Sequence, residues 1–389
     1  IRQVKGGAHV IDVCLQDPDR DEVADINNFL SYLIRKVKVP LMIDSTDPKV
    51  MEIALTYCQG KAILNSVNLE DGEKRFQQVV SLCKKFGAAL IVGTIDEDPE
   101  HGMAVTRERK VEIAQRTYDL LVDKYQFPAT NIIYDPLVFP CATGDKNYLG
   151  SARETIEGIR LIKKDFPLCK TILGISNISF GLPPQGREVL NSVFLYHCVQ
   201  SGLDMAIVNT EKLERYPSIP DEEKKLSEAL LFAPTQKTIA EFADHFRNTS
   251  RKIKQDIAKL PIDERLANYI VEGSKDGLVE DLDLKLKELS PLDIINGPLM
   301  TGMDEVGRLF NDNELIVAEV LQSAEAMKTA VKYLEQFMDK KDSSKKGTII
   351  LATVKGDVHD IGKNLVDIIL TNNGYQVKNL GIKVPPHNL

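Results

Sequence analysis

A short run near the C-terminal end carries the residues whose types and spacing are best suited to chemistry. Asp357 precedes His359 by two positions, and Gly362 follows three positions later. A carboxylate this close to a histidine can hold one imidazole nitrogen as N–H, which leaves the other nitrogen free for a metal. Gly362 would let a large ligand approach the backbone closely. The spacing predicts a metal-ligating histidine, although a solvated loop with an ordinary histidine would look the same.

The elements around this run are those of an α/β domain. An apolar, strand-like segment at 347–354 precedes it, a helical pattern follows at 365–370, and a second strand-like segment lies at 375–380. This order predicts the start of a doubly wound domain, in which ligands bind at the carboxyl ends of the strands. Gly356 and His359 would lie at that edge.

The Asp-x-His-x-x-Gly pattern in this setting closely resembles the cobalamin-binding motif of the methionine synthase and corrinoid protein families. The resemblance implies that His359 binds the cobalt of cobalamin (methylcobalamin) as the lower axial ligand, in place of the cofactor's own base. It also implies that Asp357 is hydrogen-bonded behind His359, with Gly356 and Gly362 against the cofactor.

Composition sets the bounds for the rest of the chain. Its 389 residues leave room for two or three domains, and 43% hydrophobic with 27% charged residues is ordinary for a globular protein. A net charge of −8 argues against a nucleic-acid surface. Six cysteines without a C-x-x-C pair predict reduced thiols in a cytoplasmic protein, and no membrane segment is visible. The chain begins at Ile1 and stops soon after 375–380, so we expect a fragment of a longer polypeptide.

Seven short apolar segments recur from the N-terminus, each followed by a helical pattern. They lie at 8–14, 39–45, 61–67, 88–96, 131–137, 170–177 and 204–209. Repeated βα units predict a parallel sheet, and this number favours an α/β fold of the (β/α)₈ TIM-type barrel class over an open sheet. Residues 1–7 read as the end of a helix, so the first of the eight strands is expected to be missing.

Polar residues stand where these predicted strands end, which is where barrel active sites lie. They are Asp12, Asp44, Asn65, Asp96, Asp135, Ser176, Asn177 and Asn209. Each could simply cap the helix that follows. Because almost no Lys or Arg accompanies them, the set describes a pocket of carboxylates and amides. Such a pocket suits a flat, nitrogen-rich heterocycle that presents N–H donors, not a phosphate.

Four segments, 43–45, 64–67, 135–136 and 174–180, resemble the pterin-binding motifs of folate-dependent methyltransferases. The likeness covers residues 1 to about 246. It is strongest to the folate domain of the cobalamin-dependent methionine synthase family and more distant to dihydropteroate synthase.

This resemblance implies 5-methyltetrahydrofolate as substrate, with Asp44, Asn65 and Asp135 on the amino-pyrimidine edge of the pterin. Asn177 would lie beside N5, the nitrogen that carries the methyl group. Arg187, in the loop after strand seven of eight, could contact the benzoyl-glutamate tail or could simply be solvated. One departure is position 14, where this chain has Cys in place of the amide of related proteins.

From 248 to 342 only helical patterns remain, which predicts a helical bundle. The patterns lie at 251–259, 262–272, 278–289, 291–310 and 314–338. Parts of the last two resemble the cap domain of the methionine synthase family, which implies a lid over the upper face of the corrin, with Ile316 in place of the lid's aromatic residue. The predicted domains are 1–246 (folate barrel), 247–343 (cap) and 344–389 (start of the cobalamin domain).

Together these resemblances imply methyl transfer from 5-methyltetrahydrofolate to enzyme-bound cob(I)alamin, as part of methionine synthesis from homocysteine. Asn177 would donate a hydrogen bond to N5 as charge develops there. His359 with Asp357 would take up a proton when cobalt loses its lower ligand.

Several partners and alternatives stay open at this point. Homocysteine-binding and reactivation modules, the first of them with zinc, are not visible in the sequence and would be partners in the same polypeptide or separate proteins. The alternatives are another corrinoid-dependent methyltransferase, a cobalamin-binding sensor, or a pteridine-making synthase. The last would need a pyrophosphate site rich in Lys or Arg, which the predicted strand ends lack.

Overall fold

The computed structural model describes residues 2–143, 146–248, 260–312, 314–315, 317–338, 347–354, 363, 366–367, 370, 375–381 and 384–385. The chain divides into two compact units, Ile1–Arg251 and Lys252–Leu389. The three-domain division stays a prediction. None of the helices in the described part of the chain is both long and apolar enough to cross a membrane.

The first unit is built on seven parallel strands, each hydrogen-bonded to the next in sequence order. The strands are β1 (Ile11–Cys14), β2 (Leu41–Asp44), β3 (Ile63–Val67), β4 (Ala89–Gly93), β5 (Ile132–Asp135), β6 (Lys170–Gly174) and β7 (Met205–Ile207). The first helix, α1 (Arg2–Lys5), lies beside the segment after β7, because the Thr210 hydroxyl donates to the Gln3 carbonyl at 3.4 Å. The seven consecutive parallel strands and the helices between them confirm the predicted barrel of parallel βα repeats.

The helices that follow the strands begin and end at ordinary capping residues. Asp21 and Asp47 accept backbone N–H groups at the starts of α2 (Glu22–Leu33) and α3 (Pro48–Tyr57), and Gly87 ends α4 (Lys74–Phe86) with a φ of 71°. The helices of this unit after α1 are α2 (Glu22–Leu33), α3 (Pro48–Tyr57), α4 (Lys74–Phe86), α5 (Arg107–Asp119), α6 (Ser151–Asp165), α7 (Pro184–Gln200), α8 (Asp221–Phe232) and α9 (Gln236–Asn248).

The strand side chains alternate between two cores. Those facing the helices form large apolar clusters, while those facing inward form a smaller cluster inside the barrel. The inner cluster consists of Met42, Ile63, Ala89, Ile91, Ile133 and Ile172. Because residues two apart on a strand point to the same side, the residues two positions after Met42, Ile63 and Ile133 also point inward. These are Asp44, Asn65 and Asp135, which therefore lie above an apolar floor.

The second unit is a helical bundle followed by a strand pair. Its helices are α10 (Ile262–Val271), α11 (Leu278–Lys285), α12 (Pro291–Ile294), α13 (Met300–Asn311) and α14 (Val317–Leu334). Fully buried Leu266, Leu282 and Met327 belong to its core. The predicted strands at 347–354 and 375–380 are present as a parallel pair, β8 (Thr348–Leu351) and β9 (Gln376–Asn379).

One helix prediction was wrong in its continuity. The segment 291–310 was expected to be a single helix, but a wider turn over Ile295–Leu299 separates α12 from α13. Pro298 lies inside this turn and has no N–H to donate to the preceding helical turn. Gly297 next to it has a non-helical backbone (φ −94°, ψ −107°). The helix is therefore interrupted where proline requires it.

The contact between α10 and α13 generates a test of the bundle. A Cβ added at Gly302 would lie 2.5 Å from the Ala267 carbonyl oxygen and 2.8 Å from the Ile270 Cβ. Neither atom can move aside without shifting a helix. We expect Gly302→Ala to lower the free energy of unfolding of the second unit by about 1–3 kcal/mol. Native-state hydrogen exchange of the α10 and α13 amides measures this.

Gly307 on the same helix is the matched control. Nothing lies within 4 Å of a Cβ added there. Gly307→Ala should therefore raise stability, by up to about 1 kcal/mol, because alanine is the better helix former. Equal effects of the two substitutions would contradict the close approach of α10 and α13.

Candidate functional site

Polar side chains from adjacent strands meet at one level of the barrel interior. Cys14 of β1 is in register with Asp44 of β2, and Asp44 is in register with Asn65 of β3. Asp12 lies two residues before Cys14 and shares its face of β1. Three neighbouring strands thus bring two carboxylates, an amide and a thiol together at their carboxyl ends.

Asp12 is the least satisfied member of this group. Its Oδ1 is buried and has no hydrogen-bond partner among the described residues. Burial, followed by the nearby Asp44 carboxylate, raises the pKa of Asp12 to about 6. A buried acceptor without a donor is unfavourable by about 1–3 kcal/mol, so a ligand N–H at this point would be stabilising.

Asp44 and Cys14 are in register on neighbouring strands and affect each other's ionisation. Burial raises the pKa of Asp44, and the Glu22 carboxylate adds to this effect. A hydrogen bond from the Cys14 thiol acts in the opposite direction. The thiol itself has a raised pKa, chiefly through burial, which keeps it a protonated donor at neutral pH. Cys14 is therefore a thiol donor beside Asp44.

Asp135 ends β5 opposite Gly93 of β4. Its Oδ1 accepts the backbone N–H of Leu137 at 2.9 Å. Burial raises the pKa of Asp135 to about 6, and the charge of Lys110 opposes that rise. On the inward face, Gly93 and Gly174 carry no side chain; the atoms nearest to a Cβ added at Gly93 are 3.8 Å away. The interior is therefore open beside the Asp135 carboxylate.

Ser176 and Asn177 follow β6 in a short 3₁₀ turn, Ile175–Ser179, and both are exposed. The Asn177 Nδ2 atom lies 3.3 Å from the position that a Cβ on Gly174 would occupy. Because Gly174 faces the interior, the Asn177 amide lies over the carboxyl end of β6. The structure thus brings this amide to the mouth of the barrel, and its contact with N5 stays a prediction.

Two other predicted site residues form ion pairs or hydrogen bonds with other residues of the chain. The buried Asp96 carboxylate is paired with Arg109 and, at 3.5 Å, with Arg116. The Asn209 side chain caps a short turn by accepting the Glu211 N–H at 3.1 Å. Contact between a ligand and either residue stays a prediction.

Arg187 lies in the first turn of α7, so its predicted place in a loop was wrong. The helix begins at Pro184, before Arg187, because the fixed φ of proline suits the first position of a helix. The Arg187 Nε donates to the Ser179 hydroxyl at 3.2 Å. Its proposed contact with the folate tail stays a prediction.

Two cations near the site were missed because they come from helices, not from strand ends. Arg75 at the start of α4 donates to the Ser45 carbonyl at 3.1 Å, and burial lowers its pKa. Lys110 of α5 is fully buried. It shares its helix face with buried Ile113, Ala114 and Thr117, and a lysine on an apolar stripe is the signal that could have found it.

The predicted cobalamin ligands cannot be placed in the same way. Gly356, Asp357, His359, Gly362 and Ile316 all lie outside the described residues. Within the described part of the chain, no group of three or more His, Cys, Asp or Glu could hold a metal ion.

Near position 316 the second unit exposes apolar side chains. Phe310 at the end of α13 is 42% exposed, and Val317 and Leu321 of α14 are 60% and 50% exposed. Exposed apolar side chains of this size suit the face of a large flat ligand better than they suit water.

Comparison with known proteins gives two family matches. Residues 1–209 match the pterin binding enzyme family, and residues 262–335 match the B12 binding domain family. The methionine synthase of Mycobacterium tuberculosis is 44% identical over 98% of this chain, and that of Mycobacterium leprae is 44% identical over 100%. The chain spans 33% of the length of each of these relatives.

Among solved structures, the Methanosarcina barkeri monomethylamine corrinoid protein is 33% identical. The match covers 33% of this chain and 60% of that one, with a TM-score of 0.31.

The raised pKa of Asp12 predicts how stability depends on pH. A carboxyl with a pKa of about 6 when folded and 3.8 when unfolded binds protons more tightly in the folded state. Its contribution to stability is therefore present below pH 4 and is lost as pH rises through 6. We expect Asp12→Asn to raise the melting temperature of the first unit more at pH 7.5 than at pH 4.5.

Asp25 is the control with the opposite sign. Its pKa is lowered by a hydrogen bond from Arg20 on the surface. Asp25→Asn should lower the melting temperature slightly at pH 7.5, with the difference shrinking as pH falls. A gain for Asp12→Asn that does not change with pH would contradict the buried carboxyl.

Proposed function

The chain belongs to the pterin-binding enzyme family, and from this premise we propose that it binds 5-methyltetrahydrofolate in its barrel and transfers the N5 methyl group to bound cobalamin. In this proposal the chain is the folate-binding and cobalamin-capping part of a methionine synthase. The methyl group then passes to homocysteine, which a zinc-containing module binds, and a further module reactivates the cofactor. Both modules are proposed partners of this chain.

The inward set of acceptors above an apolar floor is the observation that carries the folate proposal. Asp44, Asn65 and Asp135 point into the barrel from three strands, and Asp12 adds a carboxylate oxygen without a partner. The amino-pyrimidine edge of a pterin presents several N–H donors in one plane. Each acceptor can receive one of them, which relieves the unfavourable burial of the carboxylates. The apolar floor below suits the ring face.

Binding of this kind also favours ionised carboxylates. Burial raises the pKa of Asp12 and of Asp135 to about 6, so each is only partly protonated near neutral pH. Ligand N–H groups that hydrogen-bond to the ionised form lower these pKa values again. The pterin and the carboxylates therefore stabilise each other.

Asn177 is the residue proposed to act during methyl transfer. As the bond from N5 to the methyl carbon breaks, negative charge builds up on N5, and a hydrogen bond from an amide N–H strengthens. An amide serves well because it does not titrate at neutral pH. The Asn177 Nδ2 position over the end of β6 supports this role.

The second unit is proposed to hold cobalamin. The match of residues 262–335 to the B12 binding domain and the exposed Phe310, Val317 and Leu321 support this proposal. When bound, cobalamin supplies the cobalt that accepts the methyl group. His359 would hold the cobalt and Asp357 would hold the His359 imidazole; both lie outside the described residues.

The roles of Asn177 and Asp135 can be separated by kinetics. Asn177→Ala should lower the rate of methyl transfer from bound folate to cob(I)alamin by about 10²–10³-fold, because its hydrogen bond strengthens only as N5 gains charge. Its effect on the folate dissociation constant should be small. Asp135→Ala should mainly weaken binding, because its contact exists before reaction. Isothermal titration and single-turnover absorbance measure the two quantities.

Asn131→Ala is the matched control, because Asn131 lies at the opposite, amino end of β5. It should change neither quantity. The assignment would be wrong if Asn177→Ala weakened folate binding strongly while leaving the bound-state rate unchanged.

Cobalt ligation has a spectroscopic test. We expect added cobalamin to show the spectrum of a cofactor whose own base is displaced by a histidine, and His359→Gly should abolish it. His101→Gly, at an exposed histidine of the barrel, should leave the spectrum unchanged. The same spectrum in the His359 variant would rule out His359 as the ligand.

A further inference from the structure

A buried lysine on a barrel helix lies next to the proposed pterin site, and nothing in the proposed chemistry uses it. Lys110 of α5 has 0% of its surface exposed. Lysine is almost never fully buried unless it is paired. Its environment therefore has to account for its burial.

The Lys110 ammonium joins two loops at the carboxyl end of the barrel. Its Nζ donates to the Ala104 carbonyl at 2.7 Å and to the Pro136 carbonyl. Ala104 lies in the connection after β4, and Pro136 directly follows Asp135 at the end of β5. Lys110 therefore fixes the backbone on which the Asp135 carboxylate is mounted.

Hydrogen bonds also fix the residues that follow Pro136 in the loop after β5. Asp135 Oδ1 accepts the Leu137 N–H at 2.9 Å, and Leu137 has a φ of 61°, which side-chain-bearing residues seldom adopt. The Leu137 carbonyl in turn accepts the Thr155 hydroxyl at 2.9 Å. The loop is thus held on both sides of Leu137, with Lys110 on the side next to Asp135.

Two features make room for the lysine side chain. A Cβ on Gly158 of α6 would lie 2.8 Å from the Lys110 Cδ, so the missing side chain there admits the lysine stem. The Phe139 ring lies with its centre 5.3 Å from the Nζ, a favourable position for a cation. The surroundings accommodate an ammonium group and not merely a hydrocarbon chain.

The charges that face Lys110 are few. Among the described residues, Asp135 of β5 and Glu154 of α6 act on it. Glu154 is already paired with Arg107. Lys110 is likewise the charged group that acts on Asp135. Asp135 is therefore the carboxylate near Lys110 that no arginine already neutralises.

We propose that Lys110 is a positioning residue for pterin binding: it aligns the Asp135 carboxylate through Pro136 and, by its charge, keeps that carboxylate ionised to accept pterin N–H groups. This inference rests on the proposed function and names a residue that acts through Asp135 without touching the ligand. Burial lowers the pKa of Lys110 to about 7 and raises that of Asp135 to about 6. The charge of each residue opposes the shift that burial causes in the other.

The test measures the dissociation constant of 5-methyltetrahydrofolate from pH 5 to 8 for the full chain. Binding by the unsubstituted chain should weaken as pH falls through about 6, as Asp135 is protonated. Lys110→Met removes the charge at similar volume. It should weaken binding at pH 6.5 and move the acid midpoint upward by about one pH unit, because an opposite charge nearby shifts a carboxyl pKa by 1–3 units.

Three further variants separate positioning from stability. Lys110→Gln keeps an N–H donor without charge; it should show the same shift of midpoint and serves if Lys110→Met does not fold. Thr117→Val changes another buried polar residue of α5, whose hydroxyl donates to the Ile113 and Ala114 carbonyls of its own helix; it should lower stability without moving the midpoint. In an Asp135→Asn background, Lys110→Met should leave the acid midpoint of folate binding unchanged.

The outcomes distinguish a failure of the proposed function from a failure of this inference. Failure of the unsubstituted chain to bind the folate would overturn the proposed function and this inference with it. Folate binding whose acid midpoint is the same with and without the Lys110 charge would overturn this inference alone. A shift that persists in the Asp135→Asn background would assign the effect to another carboxyl and would also overturn it.

Discussion

The structure depends on the alternation of side chains along parallel strands that surround a common interior. Residues two positions apart must point the same way. A strand that buries Met42 inside the barrel therefore also directs Asp44 inward, and Ile133 does the same for Asp135. The apolar floor that stabilises the barrel thus removes much of the water that would otherwise surround the carboxylates above it.

Burial in this position disfavours the ionised form of a carboxylate. The surrounding residues offset this unfavourable free energy only in part. The Leu137 N–H and Lys110 favour an ionised Asp135, and the Cys14 thiol favours an ionised Asp44. Asp12 keeps an oxygen without a partner among the described residues. Functional sites commonly retain such unsatisfied groups. A ligand that supplies the missing donor forms a hydrogen bond that folding left unmade, and this hydrogen bond stabilises the complex.

Much of the fold could be predicted from the sequence, because strand alternation and helix periodicity are local. Asp44, Asn65 and Asp135 were assigned to strand ends for that reason, and the structure places all three in the barrel interior. What could not be predicted depends on distant partners. The ion pairs of Asp96 with Arg109 and Arg116 of α5 are of this kind, and contact between Asp96 and a ligand stays a prediction.

Two other differences between the sequence-based expectation and the structure have local causes. Lys110 belongs to the charged run Arg107–Lys110, and only its helical spacing from Ile113 and Thr117 reveals that it faces inward. Pro298 interrupts a helix whose apolar pattern continues on both sides, because the pattern reports on burial and not on backbone hydrogen bonds.

The central claim is that buried carboxylates of raised pKa receive the N–H edge of a pterin. Proton release on binding tests it most directly, by titrating 5-methyltetrahydrofolate calorimetrically in buffers of different ionisation enthalpy. Because Asp12 and Asp135 have pKa values of about 6, binding at pH 6 should release protons as both become fully ionised, and the release should vanish by pH 8. Binding at pH 6 with no release, or with proton uptake, would contradict the account.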